Sequence, residues 1–204
     1  MEAGRNCFLR FGMTKTTLDD LVKPAGIAKA SFYLFFKSKE ALFLELMIAE
    51  MPAMMSRLLD GSFDKTTNTR DALISLIKGI AYEIKNNEFA RIMMDNPSEL
   101  QKLSASMDFQ NLLERVGAFY APLIGKVVEA QKRGEIIPGD PQQILYSLGM
   151  IKMLALNEHM MPPELYSSMM AFVPEVLANG LTYRAQTKRV AASRHASRET
   201  QEVQ

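Results

Sequence analysis

The chain has 204 residues, 48% hydrophobic and 23% charged, with a formal net charge of +1. That composition fits a folded globular chain and excludes a disordered or collagen-like one. A single cysteine, Cys7, excludes an internal disulfide. No run of about 18 apolar residues points to a membrane span, and the N-terminus lacks the order of a signal peptide, so a cytoplasmic protein is expected.

The near-neutral total conceals a distribution. Between Arg5 and Lys39 seven bases stand against only Asp19 and Asp20, the stretch 51–183 is slightly acidic, and 184–204 is basic again. A modest basic patch at one end of an acidic body suits contact with nucleic acid.

In chain order, apolar residues recur at spacings of three and four, and no sustained alternation suggests a strand. Residues 3–11 read as a helix closed by Gly12. Thr16 and Thr17 offer N-caps to a short helix with Asp19 and Asp20 in its first turn. Pro24 and Gly26 end it. A second short helix is expected from Lys29 to Phe35, and a third from Ser38 to Met51, stopped by Pro52. Longer elements follow. Residues 70–86 place Leu73, Leu76, Ile77, Ile80 and Ile84 on one face. A short piece spans 98–104. A long helix over 107–133 is kinked by Pro122 and stopped by Gly134. Asp140-Pro141 opens a helix to about 160, and the last runs over 163–184 with a kink at Pro174. The tail from 185 has no apolar period and is expected to lack regular structure. The expectation is an all-α fold with a small N-terminal domain over 1–50, a larger helical domain over 51–184 and a basic tail over 185–204.

The informative stretch is TTLDDLVKPAGIAKASFYLFFKSKE, residues 16–40. It reads as helix, glycine-containing turn, helix, and the capped start of another helix. Such a helix-turn-helix lays its second helix in the DNA major groove. Leu18, Leu21, Val22, Ile27, Phe32 and Phe36 are expected to form its core. Lys29, Ala30 and Ser31 lie at the end nearest the base edges, where Lys29 suits guanine and Ala30 a thymine methyl. Tyr33, Lys37, Lys39 and Thr17 are assigned to phosphates, and Leu34 shares the outward face with Tyr33.

This stretch resembles the DNA-binding domain of the tetracycline-repressor (TetR) family. The resemblance rests on Phe8, Gly12, Thr16-Thr17, Ala25-Gly26-Ile27, Tyr33 and the run Phe36-Lys37-Ser38-Lys39-Glu40-Ala41-Leu42, and covers about a sixth of the chain. Three departures stand out. The family's first helix usually extends several residues before the point corresponding to Met1. Pro24 shortens the first helix of the motif, and Ala28 and Ala30 replace the Ser and Gly common there. The resemblance implies a homodimer, a double-stranded DNA operator with two-fold character, and a C-terminal domain that responds to a small-molecule effector. Helices 141–160 and 163–184 are then expected to pack on their symmetry mates through Leu145, Leu148, Leu165, Met169, Phe172, Val173 and Leu177, with Gly149 and Gly180 allowing close approach.

Fifteen methionines suit a pocket for varied apolar ligands as well as ordinary core. The assigned pocket residues are Phe89, Met93, Phe109, Val116, Tyr120, Met150, Met153 and Asn157. No metal-ligand spacing, nucleophile elbow or P-loop occurs, and the two histidines, His159 and His195, lie on different elements. An enzyme, a metal centre and a cofactor are not expected. The competing reading is a helical ligand-binding or protein-interaction module that has lost DNA binding.

Overall fold

A computed structural model describes the backbone of residues 1–95 and 114–201, and the side chains of 1–92 and 114–182. Among these residues every regular element is a helix. The chain divides into two compact units, the first taking residues 1–55 and 85–120 and the second 56–84 and 121–204. The division therefore does not fall at a single point near residue 50. A later stretch of chain returns to complete the N-terminal unit.

The first unit opens with α1 (Glu2–Lys15), α2 (Leu18–Val22) and α3 (Lys29–Phe35), and takes α4 (Lys39–Asp60) as far as Met55. Gly12 has φ 74° and ψ 173°, a left-handed conformation that breaks α1 where the sequence places its end. The buried Thr16 hydroxyl donates to the Gly12 carbonyl at 2.6 Å and stabilises that break. Thr17 then caps α2 reciprocally with Asp20: its hydroxyl accepts from the Asp20 N–H, and the Asp20 carboxylate accepts from the Thr17 N–H. Pro24 and Gly26 (φ 67°) turn the chain, and the Ile27 N–H closes the turn on the Val22 carbonyl at 3.1 Å. Ala28, with no side-chain acceptor, leaves α3 without a side-chain cap. Ser38 Oγ accepts from the Ala41 N–H and caps α4.

Behind this motif lies an aromatic core. Phe8, Phe43 and Phe89 are fully buried, and Phe43 meets each of the others edge-on at 5.2 Å. Cys7, Met13, Leu21, Val22, Phe32, Leu42, Leu44, Leu46 and Ile48 complete it, with Leu18 and Phe36 half-buried at its rim. Ile27, expected in this core, is 41% exposed because the turn it closes carries its side chain outward. Gly4 permits close packing of α1 on α4, where a Cβ would lie 2.8 Å from Leu42.

α6 (Glu88–Asp95) and a helical segment over 114–119 also belong to this unit. Arg5 ties α1 to both α4 and α6, pairing with Glu50 and, at 3.2 Å, with Glu88. Its guanidinium lies over the Phe89 ring at 5.3 Å. Arg115 pairs with both oxygens of Glu45 on α4, which holds the Glu45 carboxyl below the usual carboxylate range.

The second unit contains the remainder of α4, α5 (Thr69–Asn86) as far as Ile84, α7 (Ala121–Lys132), α8 (Pro141–Gly149), α9 (Ile151–Leu156) and α10 (Pro163–Gln201), with a 3₁₀ turn at Glu158–Met160. Leu73, Leu76 and Ile77 of α5, Leu123 and Val127 of α7, and Leu145 and Leu148 of α8 are buried. Asp140 caps α8 through the Gln142 N–H, with Pro141 in the first turn as expected.

Four expectations change. α4 continues through Pro52 to Asp60, because one lost backbone hydrogen bond is offset by good helix formers on both sides and a buried stripe that includes Ile48 and Met55. The helix expected over 107–133 is interrupted rather than kinked in its described part. Tyr120 stands in a turn and Pro122 occupies the first turn of a new helix, where its missing N–H costs nothing. The helix from 141 divides at Met150, whose N–H reaches back only three residues, to Ser147. Finally, α10 runs on to Gln201, since nothing after Gly180 breaks it and Ala, Arg, Gln and Lys favour helix.

Candidate nucleic-acid interface

The cap at Thr17 and the turn at Gly26 hold α3 on the outside of the first unit. Phe32 faces the core at 3% exposure, while Tyr33 is 59% and Leu34 81% exposed. The Tyr33 ring stands edge-on to Phe32 at 5.6 Å, which directs the phenol away from the core. Ala30 and Lys37 are also exposed, and Ser31 is half-buried. Of the residues assigned from sequence to the DNA face, Lys29, Ala30, Tyr33, Leu34 and Lys37 therefore lie together on α3 and the turn that follows it.

Two assigned residues are committed elsewhere in the fold. Lys29 Nζ lies 2.7 Å from Asp19 Oδ1, and this contact holds the Asp19 carboxyl below its ordinary range. Lys39 turns inward: its ammonium donates to the carbonyls of Met13, Thr14 and Thr16 at 2.8, 3.0 and 2.8 Å. These carbonyls lie where α1 ends, and a lysine has three donors, so all three are used. Lys39 serves here as a clamp between the start of α4 and the end of α1. Thr17 remains exposed, with its hydroxyl 2.6 Å from Asp20 Oδ2.

Hydrogen bonds from the Thr17 hydroxyl and backbone N–H hold the Asp20 carboxyl below the usual carboxylate range. Such a group stabilises the fold above its unfolded pKa, about 3.9, and the contribution is lost as pH falls through the lower folded value. Asp20→Asn is expected to be less stable than the parent at neutral pH and to match it in strong acid. Urea midpoints at the two pH values measure this, and an equal deficit at both would refute it.

Cys7 is buried. Its thiol donates to the Asp20 carbonyl at 2.9 Å, and burial, then the nearby Asp20 charge, pushes its pKa up. That describes an inert side chain holding α1 to α2.

The residues assigned to a ligand pocket are divided between the two units. Phe89 is a fully buried member of the aromatic core, in contact with Phe43, and Val116 packs against that same core. Phe89 is thus corrected from pocket wall to core. Tyr120 is half-buried in the first unit. Met150 and Met153 belong to the second unit and are 62% and 58% exposed. The Asn157 amide donates to the Met153 carbonyl at 2.7 Å and ends α9. Phe109 lies outside the described residues, as does the Met93 side chain.

A polar cleft of about 470 Å³ opens in the second unit between the loop carrying Asp64 to Thr67 and the face of α7 that carries Lys126 and Glu129. Lys126 pairs there with Asp64 at 2.8 Å, and Arg133 with Glu135 at 2.9 Å, so its charges largely satisfy one another. Among the described residues no group of three or more acidic, histidine or cysteine side chains suits a metal ion, and no helix is long and apolar enough to cross a membrane.

Residues 1–46 match the family model for bacterial regulatory proteins of the tetR family. The chain is 26% identical to the HTH-type transcriptional regulator YhgD of Bacillus subtilis over 145 residues, 70% of this chain and 72% of that one. It is 25% identical to the HTH-type transcriptional repressor NemR of Escherichia coli over 158 residues, 72% and 77% of the two chains. Among solved structures it shares its fold with the transcriptional regulator FadR of Bacillus subtilis, with a TM-score of 0.63 and 19% identity over 88% of this chain and 96% of that one. The capped helix-turn-helix, the family motif along it and relatives of the same kind over about 70% of the chain agree: residues 1–46 match the tetR-family DNA-binding domain, and the chain is similar to helix-turn-helix transcriptional regulators.

Proposed function

We propose that this protein is a homodimeric repressor that holds a palindromic operator through α3 and releases it when a small molecule binds beyond the DNA-binding domain. The observation that carries this reading is the outward face of α3. Its exposed Ala30, Tyr33 and Leu34 are set between Lys29 and Lys37 on a motif that is capped, turned and packed from behind. An exposed Tyr and Leu on a short helix have no structural purpose of their own, and a groove of DNA would cover them.

Two exposed apolar stripes of the second unit support dimerisation. Tyr146, Met150 and Met153 recur from α8 into α9, and Leu165, Phe172 and Val176 along α10, all between 48% and 67% exposed. The spacings of seven and four along α10 mark a single helix face. Leu145 and Leu148, assigned from sequence to the dimer interface, are 2% and 0% exposed within one chain and belong to its own core. The neighbouring face, through Tyr146 and Met150, takes their place in the proposed interface. Met150 and Met153 accordingly suit a second copy of the chain better than an enclosed ligand.

An effector is supported by kinship: the related FadR was solved in complex with stearoyl-CoA. Repression then responds to ligand through two conformations with different affinities for DNA, coupled by about 1–3 kcal/mol. The Arg5 contacts with Glu50, Glu88 and Phe89 join α6 to the first helix of the DNA-binding domain. They are the element through which a shift of α6 reaches α1.

Selection of duplexes from a random pool by the full chain, at two salt concentrations, tests the reading. The expected product is a palindrome whose half-sites lie about 34–36 Å apart or somewhat more, bound with an affinity that falls steeply as salt rises. No enrichment at low salt would overturn it.

A further inference from the structure

The donor inventory of α3 is poor for reading bases through hydrogen bonds. Guanine and adenine are recognised in the major groove chiefly by Arg, Lys, Asn and Gln. The sequence of α3, Lys-Ala-Ser-Phe-Tyr-Leu-Phe, holds one of these, Lys29, and its ammonium already lies 2.7 Å from Asp19 Oδ1. At about 100° per residue, the positions opposite the buried Phe32 are Ala30 and Leu34, one turn apart. The centre of the outward face is therefore apolar. Leu34 is 81% exposed, and Tyr33 beside it is 59% exposed. Lys29 precedes this pair and Lys37 follows it, and both are exposed. An apolar centre between cations matches a groove floor edged by phosphates. The base-edge feature complementary to an alkyl side chain in that groove is the C5-methyl of thymine.

We propose that Leu34, together with Ala30, determines operator specificity by packing on thymine methyl groups, so that each half-site is recognised largely by its methyls. The inference rests on the DNA-binding reading above and adds the chemistry by which sequence is discriminated.

The test uses the full-length protein and the duplex recovered by selection. Each thymine of the half-site is replaced in turn by deoxyuridine, which removes the methyl and leaves every hydrogen-bonding group in place. Affinity is measured by fluorescence anisotropy at fixed salt, and the series is repeated with Leu34→Ala. Wild-type protein is expected to lose roughly four-fold for each methyl buried against Leu34, the equivalent of one buried methyl(ene) group. Replacement in both half-sites compounds that to roughly sixteen-fold. Leu34→Ala is expected to bind the unmodified duplex more weakly and to be indifferent to the same replacement. Leu34 is 81% exposed in its own chain, so the variant is expected to retain the parent's thermal midpoint. Two results overturn the proposal: uniform tolerance of deoxyuridine by the wild-type protein, or a deoxyuridine penalty that persists undiminished in Leu34→Ala. The first needs no variant at all. Specific binding with neutral deoxyuridine replacements refutes methyl recognition alone, whereas failure to recover any specific duplex removes the DNA-binding reading on which it rests.

Discussion

A Phe172→Glu, Met150→Glu double variant is expected to sediment as a monomer at concentrations where the parent protein sediments as a dimer. The two side chains are 67% and 62% exposed in the single chain, so their replacement leaves the core of that chain intact, and the far-UV spectrum is expected not to change. In the proposed dimer both positions lie on stripes that become buried. Each glutamate would then be desolvated without a partner, and like charges would approach across the symmetry axis. Isolating a buried charge costs about 3–5 kcal/mol, which is a factor of roughly 100 to 5,000 in dimer affinity. Operator binding falls with it, because a monomer engages one half-site. The expected loss is at least about 100-fold in affinity for the full palindrome, and smaller for an isolated half-site, measured by anisotropy on both duplexes. A variant that still sediments as a dimer would place the interface elsewhere.

Lys39→Met is expected to lower the stability of the whole protein, which separates the fold's use of this residue from a phosphate contact. Its ammonium donates to three carbonyls at the end of α1, and Met keeps the length of the side chain while removing every donor. Hydrogen bonds from a charged group contribute about 1.5–3 kcal/mol, and the carbonyls left behind regain only partial solvation because Lys39 is half-buried. A loss of about 2 kcal/mol in the urea extrapolation is expected, with a weaker operator complex as its consequence. The salt dependence of the remaining binding is expected to match the parent's. Lys37→Met provides the contrast: an unchanged urea midpoint and a logarithmic salt slope reduced by about one, as for a lost phosphate contact. If Lys39→Met instead reduces the slope and leaves stability unchanged, the clamp is not maintained on DNA.

The lysine pair illustrates how far a sequence can be read. Lys37 and Lys39 stand two residues apart in one motif, and nothing in composition or spacing distinguishes them. Their roles diverge because Lys39 occupies the first position of α4, beside the end of α1, while Lys37 precedes the cap and stays exposed. Arg5 and Arg115 were invisible for a related reason. Their partners lie 45, 83 and 70 residues away, and no periodic pattern encodes such a pair.

α8 was misassigned for a different reason. Ile144, Leu145 and Leu148 occupy one side of this helix, and Tyr146 and Met150 continue the apolar surface around it. A helix with so broad an apolar surface does not announce which part faces its own core. Phe89 raised the same ambiguity, since a pocket wall and a core position demand the same side chain.

By itself the sequence determined what depends on neighbours a few residues apart: the helical class, the caps at Thr17, Ser38 and Asp140, the left-handed glycines at Gly12 and Gly26, and the motif that marks the family. Cap hydrogen bonds and backbone sterics close within one turn, so their determinants are adjacent in the chain. Only the tertiary structure decided that α4 passes through Pro52, that Lys39 is withdrawn from the surface, that Ile27 is left exposed, and which apolar face of α8 is turned inward. Those outcomes are set by packing against residues remote in sequence, where burying each side chain contributes about 1.5–3 kcal/mol and several together outweigh local preferences of a few tenths to about one, or about 3 for a proline inside a helix.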